Sequence, residues 1–200
     1  MQLPVKLGVS TWLWTSPFRT EDAAGLFEKI ASLGYEVVEI AVEDPLLIDT
    51  QQISKELEKN GLQALVCGAF GPTRDLTSDD EALQKNGLQY IEDCLNISTE
   101  LGASFFAGPM YSAVGKARMV PDAQRQIEWN RAVDNLGKVC EMAASRGLEL
   151  GLEPLNRFES DLINNVDDVS RLINHLNHPA AKICLDMFHM NIVQQDPGLA

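Results

Sequence analysis

The chain is short of cysteine, of positive charge and of long apolar runs. Its four cysteines (Cys67, Cys94, Cys140, Cys184) lie far apart and form no CxxC pair. That spacing argues for reduced thiols and against a disulfide framework or a structural zinc site. No apolar stretch reaches the roughly 18 residues that a membrane-spanning helix needs. The opening "MQLPVKLGVS" lacks the basic, apolar and small-residue regions of a signal peptide. The expectation is a cytoplasmic protein with no membrane partner. Lys and Arg number 16 against 29 Asp and Glu, a net charge of −13. A field of that sign repels phosphate backbones, so nucleic acid is not an expected partner. Also missing are GxGxxG and GxxxxGK(S/T), the marks of a dinucleotide-binding turn and a phosphate loop.

What is present is a regular switch between strand and helix periods. Strand-like stretches are Val5–Trp14, Tyr35–Val42, "LQALVCGAF", "ASFFAGPM", "LELGLEP" and "AKICLDMFHM". Helical stretches lie between them. Thr20 is the expected N-cap of the first, which runs to Gly34, and Asp49 caps the second, which ends at Gly61. A long helix covers about Asp79 to Gly102, with Ile91, Cys94, Leu95, Ser98 and Leu101 on one face. Another covers about Pro121 to Gly147, and Asn165 opens one that ends near Asn177. Three joins share one grammar: in "LGYEVVEI", "NGLQALVC" and "RGLELGLE" a helix stops at a glycine and a strand follows at once. Such alternation implies parallel strands with right-handed crossovers.

No linker or charge block divides the chain, so residues 1–200 read as a single α/β domain. Polar residues end many different strands: Ser10 and Trp14 the first, Glu43 the second, Cys67 the third, Glu153 the fifth, Asp186 the sixth. That distribution suits a (β/α)₈ TIM barrel, whose site is assembled from the C-terminal ends of its strands. Six strands in 200 residues fall short of the eight strands and about 250 residues of a typical barrel. The expectation is a barrel truncated after its sixth strand, incomplete at the C-terminus.

Period-two geometry then sorts the side chains. Leu148, Leu150 and Leu152 share one face of strand five, and Glu149 and Glu153 the other. In strand six Ile183 and Leu185 oppose Lys182, Cys184 and Asp186. The apolar sets should pack against helices, and Glu153 and Asp186 should converge at the mouth. A lone glutamate at a strand end is ordinarily solvated. Two carboxylates in register repel each other and lose solvation, and a divalent cation relieves both. Four residues earlier on the same faces stand Glu149 and Lys182, in the phase that Lys6 and Glu39 occupy on their own strands. They should form a small ionic layer at the barrel floor. Cys67 has no base nearby in sequence and reads as an inert small hydrophobe, and Trp14 could equally be plain core.

"LGLEPLNRFESDLINN" and "CLDMFHMNI" resemble the matching segments of the D-tagatose and D-allulose (psicose) 3-epimerases. These belong to the sugar-phosphate isomerase/epimerase group of xylose isomerase-like TIM barrels. "VKLGVSTWLW", "LGYEVVEI" and "FFAGPMYS" fall in the family's order, so the likeness covers the whole chain. The resemblance implies a metal-dependent epimerase that inverts C3 of a free ketose of the D-tagatose, D-allulose or L-ribulose type, by proton transfer through an enediolate. It implies one divalent cation (Mn²⁺, Co²⁺ or Mg²⁺), with Glu153 as metal ligand and catalytic acid/base and Asp186 as a second ligand. Glu159 and His189 match residues that bind the sugar, and Ser10, Trp14 and Cys67 fall where the family lines its pocket. In the family a His after strand seven, a Glu after strand eight and an Arg complete the site, and none of the three is reached here. Val114 stands where family members often carry a Trp. Inosose dehydration or aldose–ketose isomerisation on the same barrel, and a non-catalytic fragment, are the alternatives. A homo-oligomer is compatible with all of them.

Overall fold

The computed structural model describes residues 5–194. Six strands form one sheet in the order β1-β2-β3-β4-β5-β6: Gly8–Ser10, Val37–Val42, Gln63–Gly68, Phe105–Gly108, Glu149–Leu152 and Ala181–Ile183. The pairs β1/β2, β2/β3 and β5/β6 are parallel. Between them lie α1 (Ala23–Ser32), α2 (Thr50–Asn60), α3 (Glu81–Glu100), α4 (Asp122–Ser145) and α5 (Val166–Leu176), and α6 (Met187–Val193) follows β6. Neighbours in space are thus neighbours in sequence, as βα repetition requires. By contacts the chain resolves into two compact units, residues 1–69 with 93–106, and 70–92 with 107–200.

In the first unit β2 is buried along nearly its whole length, with Val38, Ile40, Ala41 and Val42 fully inaccessible. α1 and α2 turn Phe27, Ile30, Ile53 and Leu57 inward. Asp49 accepts from the Gln51 and Gln52 amides, and α2 closes at Gly61 with φ 65°, a left-handed conformation open to a residue without Cβ. Thr20 does not cap its helix. Its hydroxyl accepts from the Asp49 amide and donates to the Leu47 carbonyl, while Thr20–Asp22 forms a 3₁₀ turn ahead of α1. The first strand is also shorter than its apolar run, because the Ser10 hydroxyl accepts from the Trp12 amide and starts a 3₁₀ turn over Thr11–Leu13.

In the second unit α4 buries Trp129, Ala132, Leu136, Val139, Cys140 and Ala143. Leu148, Leu150 and Leu152 are buried as expected. Burial pushes the Cys140 thiol up to about 11, which leaves it inert at neutral pH. Asn165 caps α5 by accepting from the Asp168 amide, and Asn177 ends it with φ 43°.

The sixth strand departs from expectation. It spans only Ala181–Ile183, and the chain turns into α6 at Asp186, whose carboxylate caps that helix. The run "MFHM" opens a helix rather than extending a strand, with His189 and Met190 buried and Met187 and Phe188 exposed. Ile183 and Leu185 are 39% and 40% exposed, so this strand's apolar set is not packed as the alternation implied.

Candidate metal centre

Glu153 is the first residue past β5, and its amide donates to the Gly108 carbonyl (3.3 Å). Asp186 is the N-cap of α6, with Oδ1 accepting from the Phe188 amide at 2.6 Å. His189 follows one turn later in the same helix. Offering one ligand atom each, Glu153, Asp186 and His189 place these atoms within 4.8 Å of one another. His189 Nε2 lies 3.8 Å from Glu153 Oε1 and 4.0 Å from Asp186 Oδ2. The Asp186 side chain is 44% exposed, against 19% for Glu153 and 10% for His189. Two carboxylates so close, with an imidazole beside them, suit a hard divalent cation, which would offset the repulsion between the acids.

Behind the cluster runs the loop from Glu153 to Asn165. Glu159 Oε1 lies 4.0 Å from His189 Nδ1. Between them sits Asn156, 1% exposed. Its Nδ2 is 2.7 Å from Glu159 Oε1 and 2.8 Å from His189 Nδ1, and its backbone N–H reaches the same Nδ1 at 3.3 Å. Its Oδ1 accepts from the Phe158 amide at 2.9 Å.

The loop is braced from several sides. Asn164 Nδ2 donates to the Leu155 and Ser160 carbonyls, both at 2.8 Å. The Tyr111 hydroxyl donates to the Ile163 carbonyl and accepts from the Leu155 amide. Gly115 N–H donates to the Glu159 carbonyl and Asp161 N–H to the Lys116 carbonyl. Arg118 holds Asp161 and Glu128, and Lys116 holds Asp75 and Thr77. Val114 lines a cavity of about 370 Å³ with Pro72, Asp75, Ala113, Gly115 and Lys116.

Four of the residues singled out in the sequence (Glu153, Asp186, Glu159, His189) therefore come together in the second unit. The other three belong to the first. Ser10 ends β1 and caps its 3₁₀ turn. Trp14 is half-buried with Lys29 Nζ 5.2 Å from its ring centroid. Cys67 is buried in β3, opposite Ala41 of β2. Asn156 stands with Arg157 and Glu159 in the polar run behind Glu153, but the sequence assigns it no role in the site. Only its burial and three partners mark it, and neither is visible in the sequence.

The sequence from residue 27 to 200 matches the model of the xylose isomerase-like TIM barrels, and the chain belongs to that family. A ketose 3-epimerase of Arthrobacter globiformis is 30% identical over 192 residues, covering 96% of this chain and 65% of that protein. An L-ribulose 3-epimerase of Mesorhizobium japonicum is 26% identical, covering 98% and 65%. The crystal structure of a D-allulose 3-epimerase from a Methylomonas species, in complex with D-allulose, superposes with a TM-score of 0.88 at 27% identity, covering 98% of this chain and 67% of that one. The chain spans about 65% of the length of these two curated relatives. Among the described residues no helix is long and apolar enough to cross a membrane.

Proposed function

We propose that the protein is a metal-dependent ketose 3-epimerase, acting on a free sugar of the D-tagatose, D-allulose or L-ribulose type. The observation that carries this reading is the convergence of Glu153, Asp186 and His189 in a chain whose relatives are named for that reaction. Glu153 and Asp186 would hold the cation, with Mn²⁺, Co²⁺ or Mg²⁺ suited to so oxygen-rich a site. The chemistry such an ion supplies is polarisation of the ketose carbonyl.

The chain's own groups would supply the base and the positioning. Glu153 takes the proton from C3, and the electron pair of the C–H bond moves into an enediolate with charge on O2. A second acid on the opposite face returns a proton to C3, so the product is the C3 epimer and no atom is gained or lost. His189 donates to the oxygen that accumulates charge. Glu159 holds a sugar hydroxyl, and the braced loop fixes where that carboxylate sits. Ser10, Trp14 and Cys67 are proposed as lining of the sugar pocket.

The test is to load the full-length protein with Mn²⁺ and offer ketohexoses, L-ribulose, aldoses and inososes side by side. C3 epimerisation of a ketose is expected. Turnover of an inosose or an aldose alone would replace this reading with another chemistry of the same barrel. Glu153→Gln should cost about 10²-fold or more in kcat, because an amide cannot take the proton. Retained turnover in that variant would remove Glu153 from its role.

A further inference from the structure

We infer that the Asn156 carboxamide is a positioning group that fixes the tautomer of His189, making the imidazole a hydrogen-bond donor and not a metal ligand. The orientation of the amide is set independently of the histidine. Oδ1 accepts from the Phe158 amide (2.9 Å), so the NH₂ end must face the other way. Its two hydrogens meet two acceptors, Glu159 Oε1 at 2.7 Å and His189 Nδ1 at 2.8 Å. The backbone N–H of Asn156 points at the same Nδ1 from 3.3 Å. Two donors converge on one ring nitrogen, so that nitrogen must present a lone pair. A neutral imidazole with a bare Nδ1 carries its proton on Nε2.

Nε2 is the ring atom nearest the two carboxylates, 3.8 Å from Glu153 and 4.0 Å from Asp186. With a proton in place it has no lone pair for a cation. A histidine that ligates through Nε2 ordinarily donates from Nδ1 to a carboxylate or carbonyl. Here the group behind Nδ1 is a donor, which is the reverse arrangement. Of the three side chains that converge, Glu153 and Asp186 keep lone pairs for a cation, and the third offers a proton to an oxygen held beside them. The same amide restrains Glu159 with its other hydrogen, so one buried side chain sets two polar groups at once. That the oxygen belongs to a ketose rests on the proposed function. The tautomer does not.

Long-range ¹H–¹⁵N correlation NMR on the metal-free, ¹⁵N-labelled protein reads the tautomer directly. It is recorded at alkaline pH, where imidazoles are neutral. The other two histidines, His175 and His178, are assigned through His175→Gln and His178→Gln. His189 is expected as a single Nε2–H tautomer. Asn156→Asp keeps an oxygen for the Phe158 amide but turns an acceptor toward Nδ1, and should move the ring proton to Nδ1. Asn156→Leu removes the stronger donor and keeps only the backbone N–H at 3.3 Å, so Nδ1–H should appear beside Nε2–H. A wild-type Nδ1–H signal overturns the inference whether or not either variant folds. So does an Asn156→Asp or Asn156→Leu spectrum identical to that of the wild type. Expected spectra with no turnover of any ketose by the loaded full-length protein would leave Asn156 in place and defeat only the functional reading.

Discussion

Two ionic groups in the second unit invite comparison. One joins Lys116 to Asp75 at 2.8 Å, and Arg118 to Glu128 at 2.6 Å and to Asp161 at 3.0 Å. Its three carboxylates are at most 9% exposed. The other is Lys182 with Glu149 at 3.3 Å, their side chains 46% and 54% exposed. Strand alternation anticipates the second and is silent on the first, none of whose residues lies in a strand. Alternation reports which face a side chain takes and says nothing about how deep that face lies. Depth decides the energetics: a buried pair that loses one partner leaves an uncompensated charge, whereas an exposed pair is screened by water. Location differs too. The buried group lies along the segment that carries Glu159, since Gly115 and Lys116 hydrogen-bond the backbone of Glu159 and Asp161. The exposed pair joins the entry ends of β5 and β6, Glu149 being the first residue of its strand.

The sharpest way to break this contrast is Lys116→Met. It leaves the buried Asp75 carboxylate with only the Thr77 hydrogen bonds, while Glu128 keeps Arg118, and should destabilise the protein by about 3 kcal/mol in urea melts. A loss below about 1 kcal/mol would put the network in the same class as a surface pair.

A milder test uses protons in place of mutations. Burial alone would raise Asp75 and Glu128. Hydrogen bonds and charge from Lys116 and Thr77, and from Arg118, Gln124 and Lys116, outweigh it and hold both carboxyls below their usual values. A folded value below the unfolded one means that the unfolded chain takes up protons first on acidification. The stabilisation is therefore fully present above the ordinary carboxyl range, about pH 4, and drains away as the pH falls through it toward the depressed values. The stability gap between wild type and Asp75→Asn should be widest near neutrality and should narrow on that descent. A gap independent of pH would show that Asp75 gains nothing from its charge.

Much of the fold was legible because its signals are local. A capping Asp49, glycines where the chain needs a positive φ, and an apolar face at Ile91, Cys94, Leu95 and Ser98 each act within a turn or two of the residues that show them. The convergence of Glu153 and Asp186 was also legible, since β5 and β6 are sequential and pair in parallel. What could not be read depends on competition between distant groups. "CLDMFHM" looks like strand by composition, yet the Asp186 carboxylate captures the Phe188 amide and turns the run into α6. His189 thereby rides on a helix, where the spacing from Asp186 brings it back over the same site. Asn156 and Lys116 gain their meaning from partners 33 and 41 residues away, and no window along the chain contains both ends.

The smallest effect expected is at Lys182 and Glu149, and it is the most exacting test of the comparison. Had the pair formed a buried floor, Lys182→Met would strand a carboxylate and cost as much as Lys116→Met. At 46% and 54% exposure water solvates Glu149 once its partner is gone, so Lys182→Met should cost no more than about 0.5 kcal/mol. Glu149→Leu should be equally mild, and the double variant should equal the sum of the two within about 0.5 kcal/mol. The coupling should shrink further in molar salt, because the Debye length there is only about 3 Å, shorter than the 3.3 Å that separates the charges. A coupling above about 1.5 kcal/mol would mean that the pair is shielded from water in solution. The ionic-floor arrangement suggested by strand alternation would then be the better description.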